Sequence, residues 1–119
     1  MTSRITVGSQ KPVFMVPHES DYRPRRGILE MKKIAAMADA YHVPFCPHNY
    51  LGPISTMANI QVCTCVPNFM VLEFQGGDID WRDTIFDEPI PLKNGYLEVP
   101  SKPGLGVELN REELAKHLV

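Results

Sequence analysis

The sequence has no long apolar segment and no strong excess of either charge. No apolar run approaches the roughly 18 residues that a membrane span needs, and the N-terminus lacks the apolar core of a signal peptide. The net charge of the 119 residues is −2, which gives no electrostatic basis for binding nucleic acid or an anionic membrane. These absences predict a cytoplasmic chain without a membrane or nucleic-acid partner.

Cysteine is also scarce. Cys46, Cys63 and Cys65 are an odd number of thiols in a chain without a secretory signal, which favours reduced cysteines over a disulfide framework. Together with His48 they could be imagined as a zinc site. However, a C-x-C pair is not the usual C-x2-C spacing, and no second ligand pair follows. We therefore interpret all three as small, buried, apolar side chains.

The first regular pattern lies in segment 28–41. Apolar residues recur there every three or four positions, which predicts an amphipathic helix with one buried stripe. The stripe consists of Ile28, Met31, Ile34, Ala35, Ala38 and Tyr41. A short, proline-bounded apolar run over 43–46 follows directly and is typical of a buried parallel strand.

The same order is repeated immediately afterwards. Pro53 suits the first turn of a second helix that runs to about Val66, and Pro67 ends that helix. A second apolar run then predicts a strand over 69–74. Helix, strand, helix and strand with short connections predict parallel pairing and right-handed crossovers.

The two flanking regions have a different character. Residues 1–26 contain a weak strand candidate over 12–16, and Pro24 excludes a regular helix from the polar stretch that follows. Beyond residue 76, prolines separate short extended pieces. Asn110 and Glu113 then resemble an N-cap with a capping-box acid three residues later, which predicts a short final helix.

The candidate functional residues come at the ends of the two predicted strands. His48 follows the first strand and Glu73 ends the second, and α/β barrels place their catalytic residues at the carboxyl ends of strands. His48 could also be a plain loop histidine, whereas a buried, unpaired Glu73 would be costly. A closed barrel needs about 200 residues or more, so the chain is either a small α/β domain or part of something larger.

These residues together carry a family resemblance. The runs 27–41, 47–54 and 67–73 look like the C-terminal third of the barrel in the enolase superfamily, most of all its mandelate racemase group and the galactonate and gluconate dehydratases. Residues 94–106 resemble the return of those chains into their capping domain. The resemblance implies an α/β fold: 27–75 as the last part of a (β/α)8 TIM-type barrel, 76–119 as the capping return, and 1–26 as a divergent stretch.

The resemblance also implies catalytic roles. By position, His48 matches the histidine ending the seventh barrel strand, Glu73 the glutamate ending the eighth, and Asp21 the aspartate ending the sixth. In the family the His–Asp dyad takes or delivers the C2 proton of an aldonic acid, and loss of a neighbouring hydroxyl gives a 2-keto-3-deoxy acid. Protonated Glu73 would hydrogen-bond the enediolate, so His48 and Glu73 also contact substrate. Around Asp21 the sequence departs from the family pattern.

Cofactor and partners are likewise implied by the family. Its members bind Mg²⁺ through carboxylates on the third to fifth strands, which would precede residue 1, so no metal ligand is expected in this chain. We expect the chain to be inactive alone and to need another chain or an N-terminal part, within a parent homo-oligomer that binds a sugar acid. The alternatives are a non-catalytic remnant or interaction module, a racemase or cycloisomerase of the same superfamily, or an independent small α/β binding domain.

Overall fold

A computed structural model describes residues 4–8, 27–74, 81–90 and 92–117. Its helices and strands are β1 (Arg4–Gly8), α1 (Ile28–Ala40), α2 (Pro53–Cys63), β2 (Leu72–Glu73), β3 (Leu92–Lys93), β4 (Tyr96–Glu98) and α3 (Arg111–Lys116), with a 3₁₀ turn at Arg82–Thr84. The expected strand over 12–16 lies outside the described residues. The mixture of helices packed on strands confirms the α/β class.

Both predicted long helices are present. Helix α2 starts at Pro53, directly after the extended Gly52, as the sequence predicted. It ends at Cys63, three residues earlier than expected. The side chains of Thr64 and Cys65 both donate to the carbonyl of Gln61, at 2.8 and 3.0 Å, which satisfies a carbonyl that a longer helix would have used.

Helix α1 is less buried than its pattern predicted. Ala35 is the fully buried residue of this helix, whereas Ile28 and Tyr41 at the two ends of the stripe are exposed, Tyr41 by 80%. Met37, in the second half of the helix, is exposed as well. The prediction fails at the ends because α1 packs on α2 and the core through its middle turns only.

The two predicted strands run side by side and parallel, as expected. The amide of Phe45 donates to the carbonyl of Asn68 at 2.8 Å, and the amide of Met70 donates to the carbonyl of Phe45 at 3.1 Å. Pro44 and Pro47 have no amide hydrogen to donate, so the ladder is sparse and regular strand is confined to β2. The parallel arrangement brings the carboxyl ends of both segments to one edge.

A mixed sheet with the order β2-β1-β4-β3 completes the fold. Strand β1 pairs in parallel with β2 and antiparallel with β4, and Ile5 of β1 lies opposite Leu97 of β4. Strands β3 and β4 form a hairpin whose turn, Asn94-Gly95, has φ angles of 53° and 78°. Two positive φ angles are typical of a type I′ turn, which matches the twist of the strands. Neither β1 nor this hairpin was predicted.

One apolar core joins the sheet to α2. Ile5, Ile60, Leu72 and Leu97 are all buried in it, so the first strand, the second helix and the C-terminal hairpin pack together. Helix α3 begins as predicted: the side chain of Asn110 accepts a hydrogen bond from the amide of Glu113 at 3.0 Å. Within the described ranges, no helix has the length and apolar character to cross a membrane.

Candidate active site

His48 and Glu73 meet at the edge where the two parallel segments end. Nδ1 of His48 lies against Oε2 of Glu73, although the two atoms are not aligned as a hydrogen bond. The side chains are 35% and 37% exposed, so one side of the pair is buried and the other faces solvent. An imidazole held by a carboxylate at one nitrogen keeps the other nitrogen for proton transfer.

Glu73 is held in turn by the residue that follows His48. The backbone amide of Asn49 donates to Oε2 of Glu73 at 2.8 Å, and the Asn49 side chain donates through Nδ2 to the Glu73 carbonyl at 3.1 Å. Asn49 is only 1% exposed. Both the head and the backbone of Glu73 are therefore fixed by one buried residue.

Helix α2 supplies the partners of the Asn49 side chain. Nδ2 of Asn49 also donates to Oγ1 of Thr56 at 2.9 Å, and Nδ2 of Asn59 donates to Oδ1 of Asn49 at 2.9 Å. Thr56 and Asn59 are buried and, being three residues apart, lie on one face of the helix. This network was not predicted, and its signal in the sequence is two polar residues at that spacing in an apolar helix.

The loop after Asn49 has two further contacts. The ring of Tyr50 stacks on that of His48, with centroids 6.1 Å apart and planes 8° apart. Nη1 of Arg82, in the 3₁₀ turn, donates to the carbonyl of Leu51 at 3.1 Å. The loop that carries His48 is thus connected to the C-terminal segment as well as to α2.

The three cysteines differ in exposure. Cys46 and Cys63 are buried, and burial raises the pKa of both thiols, that of Cys63 to about 12. Neither supplies a thiolate near neutral pH. Cys65 is exposed, so the interpretation of all three cysteines as buried is wrong for this one. It lies in the turn after α2, where its side chain points to the end of the helix.

The third predicted site residue, Asp21, lies outside the described residues, so its pairing with His48 stays a prediction. In the described part of the chain, no group of three or more His, Cys, Asp or Glu side chains could hold a metal ion. The Mg²⁺ that the resemblance implies therefore finds no site among these residues. The described part of the site consists of an imidazole, a carboxylate and their buried amide support.

Comparison with known proteins identifies the family of this chain. The model of the family described as "Enolase C-terminal domain-like" matches residues 21–114, which is most of the chain. The chain belongs to this enolase family. Curated relatives named as acid-sugar dehydratases and solved structures of the mandelate racemase group both match it.

Three relatives illustrate the match. The D-xylonate dehydratase of Haloferax volcanii is 39% identical over 93 residues, which cover 78% of this chain and 23% of the relative. The D-gluconate/D-galactonate dehydratase of Picrophilus torridus is 31% identical over 82% of this chain and 25% of the relative. The solved structure of a mandelate racemase/muconate lactonizing enzyme-like protein of Rubrobacter xylanophilus is 35% identical, with a TM-score of 0.70. This match covers 77% of this chain and 24% of the relative. The chain thus spans about a quarter of the length of these enolase-family proteins.

Proposed function

We propose that this chain carries the C-terminal part of an acid-sugar dehydratase active site, in which His48 moves the C2 proton of an aldonic acid. The observation that carries the proposal is the contact of the His48 imidazole with the Glu73 carboxylate at the carboxyl ends of two parallel segments. The names of the relatives, D-xylonate dehydratase and D-gluconate/D-galactonate dehydratase, support the substrate class.

The proposed reaction uses the free nitrogen of His48. Because Nδ1 lies against Glu73, Nε2 is the nitrogen that takes the proton from C2 of the substrate. The electron pair of the broken C–H bond enters the substrate carboxylate as an enediolate. It then returns to form a C2–C3 double bond as the C3–O bond breaks, and the hydroxyl leaves as water with the proton that His48 returns. The enol product tautomerises to a 2-keto-3-deoxy acid.

Glu73 acts beside His48 in this proposal. Oε2 is occupied by the Asn49 amide and the imidazole, which leaves Oε1 to bind the substrate. The resemblance implies that protonated Glu73 hydrogen-bonds the enediolate. In the described arrangement the two groups touch, so Glu73 first fixes the orientation of the imidazole and then contacts the substrate from the same side. Asp21 stays a predicted second partner of His48.

The rest of the site has to come from barrel segments outside the matched quarter. The relatives are about four times as long as their match to this chain, so we propose that 27–75 contributes the last barrel strands and 76–119 the capping return. The remaining strands would be contributed by an N-terminal part or by another chain.

A racemase of the same superfamily is a second candidate, because the Rubrobacter xylanophilus relative is named after mandelate racemase and muconate lactonizing enzyme. His48 would then remove the C2 proton, a second acid on the opposite face of the enediolate would deliver a proton to C2, and the hydroxyl at C3 would stay. The products separate the two reactions, since dehydration gives a 2-keto acid and racemisation gives a C2 epimer.

Reconstitution tests the proposal. The full chain is mixed with Haloferax volcanii D-xylonate dehydratase that lacks its matched segment, association is checked by size exclusion, and 2-keto acid formation is measured with D-xylonate, D-gluconate and D-galactonate. We expect activity in the mixture only, and a loss of about 100-fold or more with His48→Asn, as for removal of a general base. His42→Asn is the matched control, since asparagine tolerates the positive φ of 55° at that exposed site.

Two results would count against the proposal: an associated but inactive pair, or full activity with His48→Asn. Exchange of the C2 hydrogen with deuterated solvent, without water loss and with formation of the epimer, would support the racemase in its place.

A further inference from the structure

We propose that Asn49 is a positioning residue, which holds the Glu73 carboxylate against His48 and thereby sets the orientation of the imidazole. The consequence for catalysis rests on the proposed function. The positioning itself does not, because it follows from the hydrogen bonds of Asn49 alone.

Asn49 contacts Glu73 at two separate points. Its backbone amide binds Oε2 at 2.8 Å, and its side-chain Nδ2 binds the carbonyl of Glu73 at 3.1 Å. One bond fixes the carboxylate head and the other fixes the backbone from which that head extends. Glu73 cannot turn away from His48 without giving up the first bond. Because Asn49 follows His48 directly, its hydrogen bonds also restrain the backbone of His48.

The bonds of Asn49 on its other side explain why it can act as a support. Thr56 and Asn59, both buried in α2, bind Nδ2 and Oδ1 of Asn49 at 2.9 Å each. A buried side-chain amide is costly unless its donors and acceptor are satisfied, and these three bonds satisfy them. The network therefore anchors the half-exposed Glu73 to the buried face of α2.

Asn68 shows what a purely structural asparagine looks like in the same chain. Its Nδ2 donates to two backbone carbonyls, those of Ala35 at 3.1 Å and Val43 at 2.9 Å. In the described structure it binds neither His48 nor Glu73. Asn68 is thus a control of the same residue type, with its hydrogen bonds placed away from the candidate site.

Nuclear magnetic resonance of the full chain alone gives the direct test. In Asn49→Ala we expect the amide at position 49 to exchange with solvent at least about tenfold faster and the cross-peaks between the His48 ring and the Glu73 side chain to disappear, while the amides of α2 keep their protection. Asn68→Ala should leave both signals unchanged. Unchanged signals in Asn49→Ala, or equal losses in both variants, would overturn the proposal.

Changes at Thr56 keep the test valid if Asn49→Ala does not fold. Thr56→Ser retains the hydroxyl that Asn49 binds, and Thr56→Val replaces it with a methyl group of the same shape. We expect the serine variant to behave as the original chain and the valine variant to lose protection at the position-49 amide. Identical behaviour of the two variants would also overturn the proposal.

Kinetics of the reconstituted pair then connect positioning to catalysis. Asn49→Ala should lower kcat by about 10- to 100-fold with little change in KM, because a small displacement of the base acts on the transition state more than on binding. An unchanged kcat with lost His48–Glu73 cross-peaks would refute the catalytic consequence. An inactive original pair would refute the proposed function, and the resonance experiment alone would then decide the role of Asn49.

Discussion

Replacing Asn68 with aspartate should destabilise the fold in a pH-dependent way. Asn68 connects helix α1 to the first parallel segment through its two hydrogen bonds to the Ala35 and Val43 carbonyls. Its Oδ1 is buried without a hydrogen-bond partner. Aspartate has nearly the same shape, so Asn68→Asp creates no cavity. The substitution removes both donor bonds and turns carboxylate oxygens toward two carbonyl oxygens.

The magnitude follows from these contacts. Each lost bond is worth about 1 kcal/mol, and a buried charge without a partner adds to the loss, so we expect the free energy of unfolding to fall by about 2–3 kcal/mol at pH 7. The environment disfavours the ionised carboxyl, so its folded pKa lies above the unfolded value of about 3.9. The charge penalty is therefore present above the folded pKa and absent below the unfolded one. The deficit relative to the original chain should shrink as the pH falls from 7 to 4.

Urea unfolding followed by circular dichroism at pH 7 and pH 4 measures this deficit. Asn68→Ala is the control, because it loses the same bonds without gaining a charge. Its deficit should hardly change between the two pH values. A deficit under about 0.5 kcal/mol for Asn68→Asp at pH 7, or one that is the same at both pH values, would refute the reasoning.

Two further outcomes are expected. At pH 8 a maleimide should label the exposed Cys65 in the folded chain. The buried Cys63, whose pKa burial raises to about 12, should be labelled only after unfolding. Peptide mass spectrometry measures both, and equal labelling of the two thiols in the folded chain would contradict the prediction. Gly106→Ala should cost more stability than Gly104→Ala, as thermal melts would show. Both glycines have a positive φ, at which an alanine costs about 1–2 kcal/mol of stability. A Cβ at Gly106 would in addition lie 2.5 Å from the Pro100 side chain, whereas a Cβ at Gly104 would meet open space. Equal losses of stability in the two variants would therefore be inconsistent with the structure.

The parts of the fold that depend on local signals were predictable from the sequence. The start of α2 at Pro53, the cap at Asn110 and the parallel course of the two apolar runs all follow from neighbouring residues. Strand β1 could not be predicted, because its partners are the distant β2 and β4. The hairpin turn did carry a local signal, because Asn94-Gly95 is a dipeptide typical of a type I′ turn.

The candidate site also has a part that local signals predict and a part that depends on long-range packing. His48 and Glu73 could be selected because each ends an apolar run, and parallel strands bring such ends together. Their direct contact and its support by Asn49 could not be predicted, because they depend on where the buried face of α2 lies relative to the loop. Thr56 and Asn59 can bind the Asn49 side chain only because α2 is placed in this way.

The pairing of β1 has a consequence for how the chain is made. This strand is synthesised before its partners, which are residues 72–73 and 96–98. At about 5–20 residues per second, the ribosome needs several seconds to supply both. During that time the backbone donors and acceptors of β1 are available to any other extended chain. Strong expression should therefore promote aggregation during synthesis, and slower translation at low temperature should raise the folded yield.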